Sequence, residues 1–207
     1  RNFILIVLTS IQVMAQESLP FSIIPPAPDE VTAASTLARM VQGLGFRYYW
    51  ATEGLTLKDL NYRPTEEAQS TLETLQHIYG LALVIKNTTE NSPNTRPLTG
   101  IPDGYEELRK ATLTTLSEAS EKLIEATEEQ VSHMSIIFDR KGKISNFPIW
   151  NLMNGPLEDA IYHTGQIVSF RRTAGNPIPK GVNVFLSASD MMMSNLAIQS
   201  VRSPCTR

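Results

Sequence analysis

Apolar positions recur along most of this chain at the three- and four-residue spacing of helices that bury one face. The first such stripe is Val31, Ala34, Leu37, Val41, Leu44 and Tyr48, with Arg39, Gln42 and Arg47 largely off it. Asp29 or Thr32 is available to cap its start. Phe46, Tyr48, Tyr49 and Trp50 crowd its end and read as core or rim. A second helix opens at Ser70-Thr71-Leu72-Glu73, a capping-box pattern, and runs to about Asn87. Its segment Ile78 to Ile85 is apolar all round, which predicts burial on more than one side. Between these helices, Gly54 and Pro64 break the pattern, and Leu55, Leu57, Leu60 and Tyr62 are expected to fold the connection back onto the core.

A polar loop from Thr88 to Pro102 leads to a third helix, with Asp103-x-x-Glu106 as its start signal and an end near Thr127. Leu108, Ala111, Leu113, Leu116, Ala119, Leu123 and Ile124 supply its inward face. Glu106, Glu107, Lys110, Glu118, Glu121, Lys122 and Glu125 form its solvated side. The period then changes. His133 to Phe138 and Lys143 to Phe147 flank Asp139-Arg140-Lys141-Gly142, a hairpin turn, with His133 read as surface or structural. A fourth helix starts near Pro148, is kinked or interrupted at Asn154-Gly155-Pro156, and continues from Leu157 to Thr173 before Gly175 and Pro177 stop it. The simplest architecture is all-α: an up-and-down type four-helix bundle over residues 30–186, with a small β-hairpin before the last helix.

The two ends differ from this middle. Arg1 and the apolar run through Val13, followed by Val13-Met14-Ala15, predict a secretory signal over residues 1–15. Export to a periplasmic or extracellular location follows from that reading, with no stable membrane insertion after cleavage. Residues 16–29 form a proline-rich leader, and residues 187–207, with Met191-Met192-Met193 and scattered serines, are expected to be a poorly ordered tail.

A chain of 207 residues with 42% hydrophobic positions can bury one full core. The net charge of -3 becomes one unit more negative once Arg1 is removed, and the basic residues are scattered. Arg171-Arg172 and Arg140-Lys141 read as solvated surface, so there is no electrostatic case for nucleic acid. The single cysteine, Cys205, excludes an intrachain disulfide and is poorly placed as a nucleophile.

Chemistry concentrates in Leu157 to Ile167. Asp159 and His163 are four residues apart and share a helix face. Such a pair either grips a divalent metal or simply hydrogen-bonds to itself, and His77 on the second helix is the third member if it faces them. Two imidazoles and one carboxylate suit zinc, nickel, iron or manganese and leave positions for water or substrate. Gln166, one turn beyond His163, is the candidate partner for its ring; Tyr162, Trp150 and Glu73 are candidates for the surrounding pocket.

The run Gly54-Leu55-Thr56-Leu57-Lys58-Asp59-Leu60-Asn61-Tyr62-Arg63-Pro64, then Ser70 to Ile78, and His163-Thr164-Gly165-Gln166-Ile167 resemble the DinB-like (damage-inducible) four-helix superfamily, related to bacillithiol and mycothiol transferases. The resemblance covers roughly residues 31–175. It implies three metal ligands, typically all histidine, one on the second helix and two spaced four apart on the last. His77 and His163 match the outer two; Asp159 stands at the middle position, and Tyr162 stands where many members carry another histidine. The resemblance implies metal-dependent chemistry, either hydrolysis or transfer of a low-molecular-weight thiol. Export favours hydrolysis of a small-molecule substrate, because such thiols are cytosolic reagents. The non-enzymatic rival is a metal-free bundle binding a small ligand or partner under Trp150 and Tyr162. Dimerisation through the bundle face is a further expectation.

Overall fold

The computed structural model describes residues 18–189. Residues 1–15, read as a signal, lie outside the described part, as do the tail from residue 190 onward and Cys205. The described chain is mostly helical. Its long helices are α1 (Ala33–Thr52), α3 (Thr71–Thr89), α4 (Tyr105–Glu125) and α7 (Glu158–Ala174), with short α2 (Leu57–Leu60), α5 (Glu128–His133) and α6 (Trp150–Leu152). Helix α1 packs on α4 and α7, and α3 packs on the same two. Consecutive long helices α1 and α3 therefore sit opposite each other rather than side by side. That departs from the neighbour order of a simple up-and-down path, and the long connection carrying α2 makes it accessible.

Local sequence explains most boundaries. Thr32, Ser70, Thr56 and Thr127 each form a full capping box with the residue three positions on, satisfying amide groups that a helix start leaves free. The expected signal at Asp103 is not used: Gly104 is the N-cap of α4 and makes no side-chain cap bond. Gly175 closes α7 at φ 97°, a left-handed cap that glycine adopts without steric cost.

The core comes from Leu37, Val41, Leu44 and Tyr48 on α1, Leu75, Ile78 and Ile85 on α3, Leu108, Leu113, Leu116 and Leu123 on α4, and Ala160 and Ile167 on α7. Each large aliphatic side chain so buried contributes about 1.5–3 kcal/mol. Three positions depart from the periodic reading. Val31 is 94% exposed and Ile124 54% exposed, whereas Gln42 is buried. Val31 precedes the first helical residue, so the helical period does not govern it.

Arg171 is a larger correction. It reads as solvated surface in sequence, yet it is 2% exposed. Its guanidinium donates to the carbonyls of Trp50 (3.1 Å) and Ala51 (3.0 Å) at the end of α1, and to the carbonyl (2.7 Å) and side-chain oxygen (3.2 Å) of Asn176. A buried arginine thus satisfies helix-end carbonyls that lack partners within the helix. Asn176 in turn donates to Asp59 at 2.7 Å. Burial pushes the Asp59 carboxyl upward, but the hydrogen bonds from Asn176 and Thr56 and the nearby Arg171 charge outweigh it, leaving it below its ordinary value.

Part of the leader lies against α1. Phe21 is buried against Gly45, Trp50 donates to the Ser22 carbonyl at 3.1 Å, and Arg39 donates to the Pro25 carbonyl at 3.0 Å. Where a poorly ordered tail was expected to begin, β5 (Ala188–Ser189) pairs antiparallel with β4 (Val182–Asn183). The expected hairpin forms from β2 (Ser135–Arg140) and β3 (Lys143–Pro148). A short strand absent from the sequence reading, β1 (Pro93–Thr95), joins β2 in parallel.

Candidate metal centre

The break at Pro156 positions the start of α7. Proline has no amide hydrogen to donate, and residues Met153–Leu157 form a wide π-type turn with Gly155 at φ -114°, ψ -105°. Regular helix resumes at Glu158. Asp159 and His163 then fall on one face, toward α3, where the Ser70–Glu73 capping box fixes the start of the helix that carries His77.

The three side chains meet. His77 Nε2 lies 3.2 Å from Asp159 Oδ2, and His163 Nε2 lies 3.2 Å from Asp159 Oδ1. The two imidazole rings stand edge to face with centroids 4.6 Å apart. One donor atom from each residue can be chosen so that all lie within 4.8 Å of one another. The cluster opens to solvent on one side: the side chains of His77 and Asp159 are 41% and 43% exposed, that of His163 only 16%.

Gln166 decides the state of His163. Its side-chain oxygen lies 2.7 Å from His163 Nδ1. An amide oxygen only accepts, so Nδ1 carries the hydrogen and donates. In the neutral ring Nε2 then bears a lone pair. That lone pair is then turned toward the Asp159 carboxylate, where a metal ion shared by the two would sit. The donor set of two imidazole nitrogens and one carboxylate, with one ring fixed through its remote nitrogen, fits a divalent transition metal.

The other candidates divide. Tyr162 stands beside His163, its ring 5.3 Å away, and lines an open groove together with Asp159. Glu73 does not reach the cluster. Its carboxylate accepts from the Ser70 amide at 2.7 Å and pairs with Arg63 at 2.8 Å, and these contacts hold it down at about 2. Trp150 is also elsewhere: it is 72% exposed and lines a separate apolar groove with Val31, Leu37, Val131 and Met153. The short helix α6 that carries it lies before the π-type turn. His133 is exposed and hydrogen-bonds the Glu129 carbonyl at 2.7 Å, as a surface residue does.

No family model matches this chain, and no curated protein does. Among solved structures, it is similar to a DinB-like protein of Bacillus subtilis (YjoA), with 19% identity and a TM-score of 0.54 over 74% of this chain and 98% of that one. At that identity the likeness speaks for the backbone arrangement. This chain has a DinB-like fold.

Proposed function

We propose that this protein is an exported, metal-dependent hydrolase in which His77, Asp159 and His163 hold one divalent transition metal ion, zinc, nickel, iron or manganese. The observation that carries the reading is the convergence of two histidine Nε2 atoms on the two oxygens of a single carboxylate, each at 3.2 Å. The ring of long helices is read as a four-helix bundle, and facing helices of such bundles commonly supply the ligands of a metal site. Three protein donors leave coordination positions for water and substrate. A bound ion of this kind supplies Lewis acidity toward a carbonyl or phosphoryl oxygen and makes an incoming water easier to ionise.

The chain's own residues do the positioning. Gln166 holds the His163 ring in one tautomer and one orientation. Asp159 spans the histidines of α3 and α7. The exposed Tyr162 ring walls the approach, and the opening beside His77 admits a small molecule from solution. Hydrolysis is favoured over thiol transfer because the segment over residues 1–15 reads as an export signal, which separates the chain from cytosolic thiols.

The test is a panel of ester, amide and phosphoester substrates offered to the purified protein with and without chelator, beside a thiol-conjugation assay. Hydrolysis that chelation abolishes, that the returned ion restores and that His77→Ala lacks is the expected result. Thiol conjugation without hydrolysis, or hydrolysis indifferent to chelation, would overturn the reading.

A further inference from the structure

The register of β1 on β2 creates a second feature near this cluster. Thr95 lies opposite Asp139, and the Arg96 amide donates to the Asp139 carbonyl at 2.9 Å. The next residues along the two neighbouring chains are therefore Arg96 and Arg140. Phe138, two residues before Arg140, shares its face of the sheet. Both guanidinium carbons lie over the Phe138 ring, at 5.4 Å for Arg96 and 5.0 Å for Arg140.

Like charges side by side on adjacent strands oppose folding, and stacking on one aromatic ring offsets only part of that cost. Among the described residues, neither arginine forms an ion pair with a carboxylate. Burial pushes Arg96 below its ordinary value, and the adjacent Arg140 charge pushes it the same way. The arrangement sets two guanidinium groups side by side, Arg96 also donating to the Thr95 carbonyl at 3.2 Å.

The arginines line the groove of ≈ 620 Å³ that Asp159 and Tyr162 also line. Guanidinium pairs of this kind recognise carboxylate and phosphate through parallel N–H donors. We propose that Arg96 and Arg140 form an anion-binding subsite, which holds a carboxylate or phosphate group of the substrate while another part of that molecule reaches His77, Asp159 and His163. The subsite stands on the arginines themselves; its catalytic use rests on the metal-dependent reading above. Glu158 and Asp159 face the same groove from α7. Their charge repels the anionic end, so it is directed to the hairpin side and the uncharged end toward the metal cluster.

The experiment titrates the full chain with phenyl phosphate and with phenylacetate, first stripped of metal and then loaded with manganese and freed of excess ion. Arg96→Gln, Arg140→Gln and the exposed control Arg172→Gln are compared with the parent. Binding of at least one probe by the metal-free chain, weakened about tenfold or more in both groove variants and unchanged in the control, is the expected result. The probe that binds more tightly identifies the anion as phosphate or carboxylate. In the manganese-loaded chain the bound probe's nuclear resonances broaden through the nearby paramagnetic ion. Absence of binding of either probe, or binding by the two groove variants as tight as the parent's, would overturn the subsite. Failure to take up manganese would overturn manganese as the bound ion and leave the metal reading to zinc, nickel or iron, while the metal-free titrations still decide the subsite. Binding without broadening would separate the subsite from the metal cluster and overturn its catalytic use.

Discussion

His163 Nε2 and Asp159 Oδ1 face each other across 3.2 Å while Gln166 holds the opposite nitrogen of the same ring at 2.7 Å. With its oxygen toward the ring, the Gln166 amide favours the tautomer that turns the Nε2 lone pair toward Asp159, as a metal ligand requires.

Gln166→Leu removes the acceptor for Nδ1 and frees the ring to change tautomer. Affinity for the metal is expected to fall about 10- to 100-fold, the effect of losing a partner that orients a ligand. Competition against a chromophoric chelator measures it. Folding stability should change little, because the side chain is only half-buried.

Asp159→His converts the site to the three-histidine set of the resemblance. Metal should be retained at one ion per chain, with preference shifted from manganese toward zinc and nickel, since a hard oxygen donor is exchanged for imidazole. Competitive loading with equimolar manganese and zinc reads this out. A variant that loses both ions would show that Asp159 supports the histidines rather than the metal.

Arg171→Met is expected to destabilise the fold by about 2–4 kcal/mol, because it leaves buried carbonyls at the end of α1 without donors. Urea unfolding followed by circular dichroism measures it. Arg172→Met, at the exposed neighbour, should have little effect.

Stability should also fall in acid through Glu73. Arg63 first, and then the Ser70 amide, hold its folded carboxyl at about 2, below its ordinary 4.5. The stabilisation is therefore present above about pH 4.5 and is lost as pH falls toward 2. Difference profiles between the parent and Glu73→Gln, from urea titrations across that window, should converge at the acid end.

The helices were legible because their signals are local. Ser70–Glu73, the Pro156 break and Gly175 each act within one or two turns, so neighbouring residues suffice to read them. Long-range pairing was not legible. Arg171 reads as half of an exposed basic pair because its partners, Trp50 and Ala51, are 121 and 120 positions away. Strand β1 is three residues long and pairs with β2 some forty positions later, so no alternation announces it or the meeting of Arg96 with Arg140. Spacing alone placed Asp159 beside His163; helix content made His77, 82 positions from Asp159, a candidate third member, and the resemblance strengthened that grouping. Glu73 failed as a site residue for a local reason: the capping box that revealed the helix also occupies its carboxylate.

The most direct test of the central claim is elemental analysis of the purified protein beside His77→Ala and Asp159→Ala. Close to one transition-metal ion per chain in the parent, lost in both variants, is the expected result. No metal in the parent, even after incubation with zinc, nickel, iron and manganese, would contradict it and leave Asp159 as a hydrogen-bonding partner of the two histidines.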